Sequence, residues 1–360
     1  MKQRLLDLIK CPKCGRKLEL LVLDEHLDQG FIEERESLFG FFPEVNLGID
    51  KWSYLYRNEI VSGILHCSCN SFYPVINGVP RLLSEPIKEF PEFFIENRTI
   101  IENMVQKLND RKTKSYHTRS KVSFEIQWDE YNYDETTWGK ELDVRKLEFL
   151  ENFRITEDEL KGKLIFDAGC GNGRLTSGLA PFGCEIVGMD YTKSVAKANA
   201  KKGKFAGRFS PFVHFVQGDL ARTPICDESF DFIHSSGVIH HTPEPIEAFR
   251  QFAKTGKKGS RVYILMYRKR TDLIGHLNKL QRFLTTQLPK KTLFKLCLFF
   301  APVHQQISQK LARRRGEKPT SKLKNSELAI VMFDNLSPTF QYRYDLFELI
   351  NMFENEGLSD

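Results

Sequence analysis

Short apolar runs that recur between residues 163 and 234 dominate the hydrophobic pattern of this 360-residue chain. Four of them predict buried strands, at 163–167, 185–190, 212–216 and 230–234. A glycine-rich turn and a stretch compatible with a helix, at 174–179, follow the first run. A strand, a turn and a helix in this order form the first unit of a doubly wound α/β sheet, which binds ligands at the carboxyl ends of its strands. The pattern therefore predicts an α/β fold with one ligand crevice.

The residues that follow these runs carry the candidate chemistry. Gly169, Gly171 and Gly173 alternate in the first turn, where glycine lets backbone N–H groups approach a ligand. Their spacing is GxGxG rather than the GxGxxG of dinucleotide binders, which disfavours NAD. Asp190 ends the second run, where an acid can accept hydrogen bonds from both ribose hydroxyls of an adenosyl group. Asp219 follows the third run and is placed for an adenine amino group.

Four ordered motifs resemble those of the class I S-adenosylmethionine-dependent methyltransferases. They are FDAGCGNGR at 166–174, VGMD at 187–190, QGDL at 217–220 and FDFIHSSGVIHHTPEP at 230–245. The resemblance implies a doubly wound, seven-strand-type methyltransferase sheet with S-adenosylmethionine as cofactor. The implied cofactor-binding residues are Asp167, Gly169, Gly171 and Gly173 around methionine and ribose, Asp190 at the ribose, and Asp219 with Leu220 at adenine.

Each acid of this set, taken singly, also has an ordinary structural explanation. Asp167 fits a strand-end cap, Asp190 a turn acid and Asp219 an Asx-turn former. The ordered set of all three, each after its own strand, favours the cofactor site.

Two adjacent histidines, His240 and His241, are the candidate catalytic residues. They form the paired imidazoles of the predicted crevice, and imidazole is the usual base near neutral pH. The alternatives are packing against the cofactor and capping a helix that begins near Pro245. The loop reads SSGVIHH rather than Asn/Asp-Pro-Pro-Tyr/Phe, the pattern of enzymes that methylate planar amide or adenine nitrogens. An oxygen acceptor is therefore favoured over a nitrogen acceptor.

Four cysteines near the N-terminus fall in two close pairs, Cys11 with Cys14 and Cys67 with Cys69. Two such pairs offer the four thiolates of a structural zinc site, although the single-residue spacer of the second pair is shorter than usual. A redox pair or four ordinary small residues are the alternatives. With YPVINGVPRLL at 73–83, the pattern resembles the small zinc-ribbon activator proteins of tRNA, rRNA and protein methyltransferases, over residues 1–84.

The two resemblances together predict five regions. Residues 1–90 form a zinc-ribbon domain with an insertion at about 24–60, and 91–155 a helical linker or cap. Residues 156–268 form the cofactor-binding core, and 269–325 a basic helical insertion or lid. Residues 326–360 are the last part of the methyltransferase domain, because 334–343 resembles its late motif and 346–356 predicts a helix. The fold usually continues into a final β-hairpin, so a sheet that lacks its last strands is one expectation.

Charge is concentrated in one segment of an otherwise ordinary globular composition. The chain is 41% hydrophobic and 28% charged, which excludes a mostly disordered chain and a polytopic membrane protein. The net charge is +6, but residues 268–325 alone carry 15 Lys or Arg against two acids. Leucines at helical spacing make this segment a basic amphipathic helix. Such a helix suits a lid over the substrate pocket, a peripheral contact with an anionic membrane, or RNA phosphates.

The ends and apolar runs of the chain predict its location. The N-terminus lacks the apolar core and cleavage site of a signal peptide. The apolar run at 293–303 is well short of the roughly 20 residues that span a bilayer. We expect a cytoplasmic protein with reduced thiols and no transmembrane segment.

The sequence thus favours S-adenosylmethionine-dependent methyl transfer to a small-molecule, lipid-linked or glycan acceptor, at oxygen. One alternative is a tRNA methyltransferase that esterifies a carboxymethyl group on the wobble base, since those enzymes have a similar VIHH loop and depend on a zinc-ribbon activator. A second alternative is a non-catalytic scaffold whose zinc ribbon binds a partner.

Overall fold

The computed structural model describes residues 1–39, 48–104, 118–130, 136–314 and 324–358. Within these residues, nine strands form one mixed sheet in the order β1-β2-β3-β4-β7-β6-β5-β8-β9. The strands are β1 (Glu19–Leu27), β2 (Asn58–Cys67), β3 (Ser71–Ile76), β4 (Val79–Leu82), β5 (Leu164–Ala168), β6 (Glu185–Asp190), β7 (Val213–Gly218), β8 (Phe230–Ser236) and β9 (Gly256–Leu265).

Helices cover both faces of this sheet and its carboxyl edge. They are α1 (Gln29–Phe39), α2 (Ile49–Tyr56), α3 (Pro86–Glu89), α4 (Pro91–Glu96), α5 (Arg98–Met104), α6 (Thr118–Glu130), α7 (Leu142–Phe153), α8 (Arg174–Leu179), α9 (Ser194–Ala206), α10 (Pro245–Ala253), α11 (Leu273–Thr285), α12 (Lys290–Arg314), α13 (Asn325–Leu336) and α14 (Leu346–Asn355). Short 3-10 turns lie at Gln3–Asp7, Leu220–Arg222 and Ile239–His241.

The parallel half of the sheet confirms the predicted α/β core. Strands β7, β6, β5, β8 and β9 pair in parallel, so the four predicted strands are neighbours. Ile165, Phe166, Ile186 and Val187 are fully buried. Parallel strands covered by helices on both faces need such continuous apolar runs. Their carboxyl ends therefore meet at one edge, where the loops after β5, β6, β7 and β8 converge.

The antiparallel half comes from the N-terminal region and continues the same sheet. Strands β1 to β4 pair antiparallel in chain order, and the β3–β4 turn places Asn77 and Gly78 at positive φ, as a two-residue hairpin turn requires. Strand β4 then pairs in parallel with β7, with Arg81 opposite Gln217. The expected small N-terminal domain therefore adds four strands to the edge of the core sheet, an arrangement that the sequence did not predict.

A buried charge cluster joins the N-terminal region to the core. The Glu185 carboxylate on β6 accepts hydrogen bonds from Tyr56 Oη at 2.8 Å and Arg4 Nε at 3.3 Å, and His214 Nε2 on β7 lies 2.9 Å from it. Burial alone would raise the pKa of Glu185, but Arg4 and His214 outweigh it and lower this pKa to about 2. The cluster holds α2 and the first turn of the chain against the sheet.

The predicted insertion at 24–60 packs on the core through aromatic rings. It contains the end of β1, helices α1 and α2, and the start of β2. Trp52 and Phe31 are fully buried, and the Trp52 ring lies 5.9 Å from that of Phe212. Residues 40–47 of this insertion lie outside the described part of the chain.

Helices α6, α12 and α13 pack together and form what we call the helical cap. Leu293, Phe294 and Cys297 of α12 pack against Phe333 and its neighbours on α13, with Ile126 and Trp128 of α6 at the border. The basic segment contains α11 and α12, while residues 315–323 are outside the described ranges. Helix α14 follows α13 and buries Met352. In the described part of the chain, no helix combines the length and apolar character needed to cross a membrane.

Candidate active site

A pocket lies where the carboxyl ends of β5, β6, β7 and β8 face the helical cap; we call it the sheet-edge pocket. Its floor includes six of the residues singled out in the sequence, and helix α6 and residue Asp334 of α13 close it from the cap side. The six are Asp167, Gly169, Asp190, Asp219, Leu220 and His241. Gly171 and Gly173 lie in the same glycine-rich loop as Gly169, whereas His240 does not line the pocket.

The glycine-rich loop after β5 is fixed by close contacts. Gly169 has φ of +84°, and a Cβ atom there would lie 2.1 Å from a methyl carbon of Val238. Gly171 has φ of +56°, and its Cβ would lie 2.3 Å from the Trp128 ring of the cap. Only glycine satisfies both the positive φ and this space. The loop therefore touches the fourth strand's loop on one side and the cap on the other.

Asp190 organises the edge beside this loop. Its Oδ2 accepts a hydrogen bond from the Gly171 amide at 2.9 Å, and its Oδ1 accepts from the Thr192 amide at 2.9 Å and the Thr192 hydroxyl at 2.7 Å. Burial raises the pKa of Asp190, and the hydrogen bonds from Thr192 and Gly171 oppose that rise. Since a carboxylate accepts about four hydrogen bonds, these three leave room for one further donor at Oδ2.

Asp167 is held by two partners from other elements. Its Oδ2 accepts a hydrogen bond from the Thr176 hydroxyl of α8 at 2.6 Å, and its Oδ1 lies 2.9 Å from His234 Nδ1 at the end of β8. The His234 ring stacks on Tyr263 at an interplanar angle of 8°. Asp167 thus ties β5, α8 and β8 together at the pocket floor, which agrees in part with its alternative role as a strand-end group.

Asp219 begins a 3-10 turn, as its Asx-turn alternative anticipates. Its Oδ1 accepts a hydrogen bond from the Ala221 amide at 3.0 Å, and Leu220 is buried in the floor of the pocket. Asp219 therefore both caps this turn and lines the pocket.

The two candidate histidines lie in different surroundings. His241 Nδ1 lies 2.9 Å from the Phe340 carbonyl, and its Nε2 has no hydrogen-bond partner among the described residues. Because a carbonyl only accepts, Nδ1 carries the proton and Nε2 the lone pair. His240 is 0% exposed, packs 4.2 Å from the rings of His241 and Tyr267, and neither of its nitrogens has a partner in the described structure.

Electrostatics keep both imidazoles neutral near pH 7. Burial lowers the pKa of His241, while the Asp334 carboxylate acts in the opposite direction. Burial lowers the pKa of His240 to about 2, and His241 and Arg343 act in the same direction. A neutral imidazole whose lone pair has no hydrogen-bond partner is able to accept a proton, and His241, which lines the pocket, meets that description among the described residues.

Several pocket residues have no signal in the four motifs. Asp334 of α13 lines the pocket and accepts a hydrogen bond from Tyr267 Oη at 2.9 Å. Gln127 of α6 is 1% exposed, and neither of its amide atoms has a hydrogen-bond partner in the described part of the chain. Lys121 pairs with Glu89 at 2.8 Å and also lines the pocket. The sequence analysis names these parts of the chain only as segments, the cap at 91–155 and the late motif at 334–343, because a segment's resemblance does not show which side chains face a distant strand edge.

The four paired cysteines form one cluster near the N-terminus. All four sulfur atoms lie within 4.8 Å of one another. Cys11 Sγ is 3.6 Å from Cys69 Sγ, and Cys14 Sγ is 3.4 Å from Cys67 Sγ. Four sulfurs around a zinc ion at the usual Zn–S length would stand about 3.8 Å apart, so the cluster has the size of a tetrahedral zinc site.

Comparison with known proteins agrees with the arrangement at the sheet edge. Residues 166–264, which run from within β5 to within β9 and include both histidines, match a family model described as a methyltransferase domain. Residues 166–264 thus form a methyltransferase domain.

Relatives of this methyltransferase domain share only part of their length with the chain. The ubiquinone biosynthesis O-methyltransferase of Aliivibrio fischeri (strain MJ11) is 27% identical over 134 residues, which are 35% of this chain and 55% of that protein. The uncharacterized methyltransferase YcgJ of Bacillus subtilis (strain 168) is 27% identical over 122 residues, 32% and 47% of the two chains. The crystal structure of YcgJ has a TM-score of 0.32 at 24% identity, over 39% of this chain and 59% of that chain. The chain thus spans about half the length of the curated relatives it matches.

Proposed function

We propose that this protein transfers a methyl group from S-adenosylmethionine to an oxygen atom of a small-molecule, lipid-linked or glycan acceptor. The observation that carries the proposal is His241, whose bond to Phe340 leaves Nε2 as a hydrogen-bond acceptor in a pocket of the methyltransferase domain. The relatives named ubiquinone biosynthesis O-methyltransferase support an oxygen acceptor, as does the absence of an Asn/Asp-Pro-Pro-Tyr/Phe sequence after β8.

The sheet-edge pocket suits S-adenosylmethionine by the chemistry of its donors and acceptors. Asp190 Oδ2 has one acceptor position left for a ribose hydroxyl. Asp219 and Leu220 offer a carboxylate and an apolar side chain to an adenine ring. Gln127, buried and unpaired among the described residues, offers both a donor and an acceptor from the cap. We assign cofactor binding to Asp167, Gly169, Gly171, Gly173, Asp190, Asp219 and Leu220.

The chain's own residues then provide orientation and proton acceptance. When bound, the cofactor supplies an electrophilic methyl group and a neutral thioether leaving group. An acceptor hydroxyl that donates to His241 Nε2 gives its proton to that nitrogen as its oxygen forms the new C–O bond. Asp334, which faces His241, stabilises the resulting imidazolium, and Tyr267 holds Asp334 through its hydroxyl. The cap side chains Phe124 and Trp128 exclude water from the pocket.

His240 has a supporting part in this proposal. It lies beneath His241 and Tyr267, outside the pocket, with its pKa held to about 2 by burial. A buried neutral ring of this kind positions the rings that pack on it, and it does not contact the methyl acceptor. Of the two predicted bases, we therefore assign proton acceptance to His241.

We further propose that Cys11, Cys14, Cys67 and Cys69 hold a structural zinc ion. The sulfur–sulfur distances of 3.4 and 3.6 Å support a tetrahedral thiolate site. The ion would fix the knuckle at 11–14 to the end of β2. Residues 1–90 would then act as a ribbon attached in the same chain, since β4 extends the core sheet beside β7.

Calorimetric titration of the full chain tests the proposal against the scaffold alternative. We expect S-adenosylmethionine and S-adenosylhomocysteine to bind with one site per chain and NAD not to bind. A folded, zinc-loaded protein that binds neither adenosyl compound would favour the non-catalytic scaffold instead.

A further inference from the structure

Helix α11 is amphipathic, but its polar side faces the protein and its apolar side faces outward. Its polar side chains face the protein: Arg282 donates hydrogen bonds to the Asn335 and Pro338 carbonyls, and Thr285 donates to the Leu336 carbonyl. Its outward side carries Leu277, Leu280, Phe283 and Leu284, and Phe283 is 67% exposed. A helix on a globular protein normally buries its apolar side, so this orientation requires another explanation.

Helix α12 shows a second apolar stripe on its outer side. Leu293, Phe294, Cys297 and Ala301 face inward and pack on α13. The opposite stripe repeats at intervals of three or four residues along the helix and is exposed throughout, with Phe299 at 74%. It consists of Leu296, Phe299, Phe300, Val303 and Ile307. This stripe and the outward side of α11 together are the α11–α12 surface.

The charged side chains of these two helices have a single sign. Residues 273–316 contain no aspartate or glutamate, and nine Lys or Arg. Lys279, Lys291, Lys295 and Lys310 are exposed on the two helices. Apolar stripes bordered by cations are the arrangement of helices that lie in the interface of an anionic bilayer, with Leu and Phe among the acyl chains and lysines at the headgroups.

We propose that the α11–α12 surface docks this protein onto a membrane that contains anionic phospholipid. RNA phosphates would attract the lysines but would leave the leucine and phenylalanine stripes in water. A second copy of this chain would meet a surface of the same positive sign, which opposes pairing. An anionic bilayer satisfies both the apolar and the charged part.

Docking through this surface would place the methyltransferase pocket near the bilayer. Helix α12 packs directly on α6 and α13, whose residues Trp128 and Asp334 line the sheet-edge pocket. An amphiphilic acceptor leaving the bilayer would therefore meet the cap that covers the proposed site. The docking itself depends only on the α11–α12 surface, so it is testable without cofactor or acceptor.

Vesicle flotation of the full chain, without cofactor, tests the docking. The probes are vesicles of phosphatidylcholine alone and of equal parts of phosphatidylcholine and phosphatidylglycerol. We expect binding to the mixed vesicles only, weakened by salt. The double variant Phe283→Ser, Phe299→Ser should weaken it by about tenfold or more, since it removes two aromatic rings that docking would bury in the bilayer. Phe347→Ser is the matched control, because Phe347 on α14 is 72% exposed and lies outside the surface.

The outcomes distinguish membrane docking from self-association and from RNA binding. Loss of vesicle binding in the double variant, with retention in the Phe347→Ser protein, supports the proposal. Failure of the wild-type chain to bind mixed vesicles overturns it. A wild-type dimer in sedimentation that the double variant abolishes would assign the surface to a second copy. Binding of the wild-type chain to tRNA that the double variant abolishes would assign it to RNA. Because both phenylalanines are exposed, their replacement by serine should leave the circular dichroism spectrum of the folded protein unchanged.

Discussion

His241 Nδ1 lies 2.9 Å from the carbonyl oxygen of Phe340, in the segment that follows α13. This bond leaves Nε2 as the nitrogen without a hydrogen-bond partner in the described structure, on a ring that lines the pocket of the methyltransferase domain. A residue far along the chain, Phe340, thus fixes the protonated nitrogen of the proposed base. For this reason, the adjacent histidines in the sequence did not show which of them, His240 or His241, is the base.

Replacing the proposed base should reduce turnover while leaving the cofactor bound. His241→Ala removes the Nε2 acceptor, and general-base removal typically costs about 100- to 10,000-fold in rate. Initial rates of methyl transfer and calorimetric affinity for S-adenosylmethionine measure the two effects separately. His240→Leu should retain most of the turnover, and the exposed His26→Ala on β1 should retain all of it. Equal rates for wild type and His241→Ala would exclude His241 as the base.

Turnover should depend on pH through His241. The base works only when neutral, and burial lowers its pKa below the ordinary 6.5, so the acid limb of the rate profile should lie below that value. Asp334 raises this pKa, so Asp334→Asn should move the limb to still lower pH and also reduce the maximal rate. A limb that moves to higher pH in Asp334→Asn would contradict the assignment.

Cofactor affinity should depend on Asp190. Asp190→Asn replaces one carboxylate oxygen with an NH2 group, which cannot accept a hydrogen bond. Either the Gly171 amide or the Thr192 groups then lose their acceptor, and the negative charge is lost as well. Hydrogen bonds to a charged group contribute about 1.5–3 kcal/mol each, so the affinity for S-adenosylmethionine should fall roughly 10- to 100-fold. The exposed Asp24→Asn on β1 is the control. Unchanged affinity in Asp190→Asn would place the ribose elsewhere.

The cysteine cluster should hold zinc in the purified protein. Metal analysis should find about one zinc ion per chain, and Cys14→Ser should lose most of it because three thiolates bind far more weakly than four. Cys226→Ser, which changes a cysteine outside the cluster, should keep its zinc. Zinc well below one ion per chain in the wild type would refute the site.

The junction between the N-terminal region and the core should depend on Glu185. Its folded pKa of about 2 lies below the ordinary 4.5, so its ionised form stabilises the fold above pH 4.5, and this contribution is lost as the pH falls toward 2. Glu185→Gln should lower the free energy of unfolding by roughly 3 kcal/mol at pH 7, with a gap to the wild type that narrows in acid.

Urea unfolding at several pH values measures that gap. The control is Glu19→Gln on β1, whose carboxylate is largely exposed beside His66 and should change stability by less than about 0.5 kcal/mol. A constant gap between the wild type and Glu185→Gln from neutral pH into acid would show that the carboxylate charge does not stabilise the junction.

The sequence predicted those parts of the molecule whose signal is local. The strand, glycine loop and acid at 163–190 follow one another closely, so their meeting at one edge follows from parallel topology alone. The cysteine pairs are likewise short motifs. By contrast, the pairing of β4 with β7 joins residues far apart in the chain. The hydrophobic pattern of either strand does not indicate which strand lies beside it.

Two further features depend on orientation, which periodicity does not give. The spacing of Leu277, Leu280 and Leu284 predicts an amphipathic helix but not which side is buried, and here hydrogen bonds from Arg282 and Thr285 turn the polar side inward. The pocket residues Gln127 and Asp334 come from the cap, whose place over the sheet edge is set by packing among α6, α12 and α13.

The most direct measurement is methyl transfer itself, with the full chain, methyl-labelled S-adenosylmethionine and a cell extract that is afterwards separated into RNA, protein, lipid and small molecules. Nuclear magnetic resonance of the labelled product identifies the atom that received the methyl group. We predict label in the lipid or small-molecule fraction, bonded to oxygen, and its loss with His241→Ala. Label in RNA or protein, label on nitrogen, or no transfer by a protein that binds the cofactor would contradict the account.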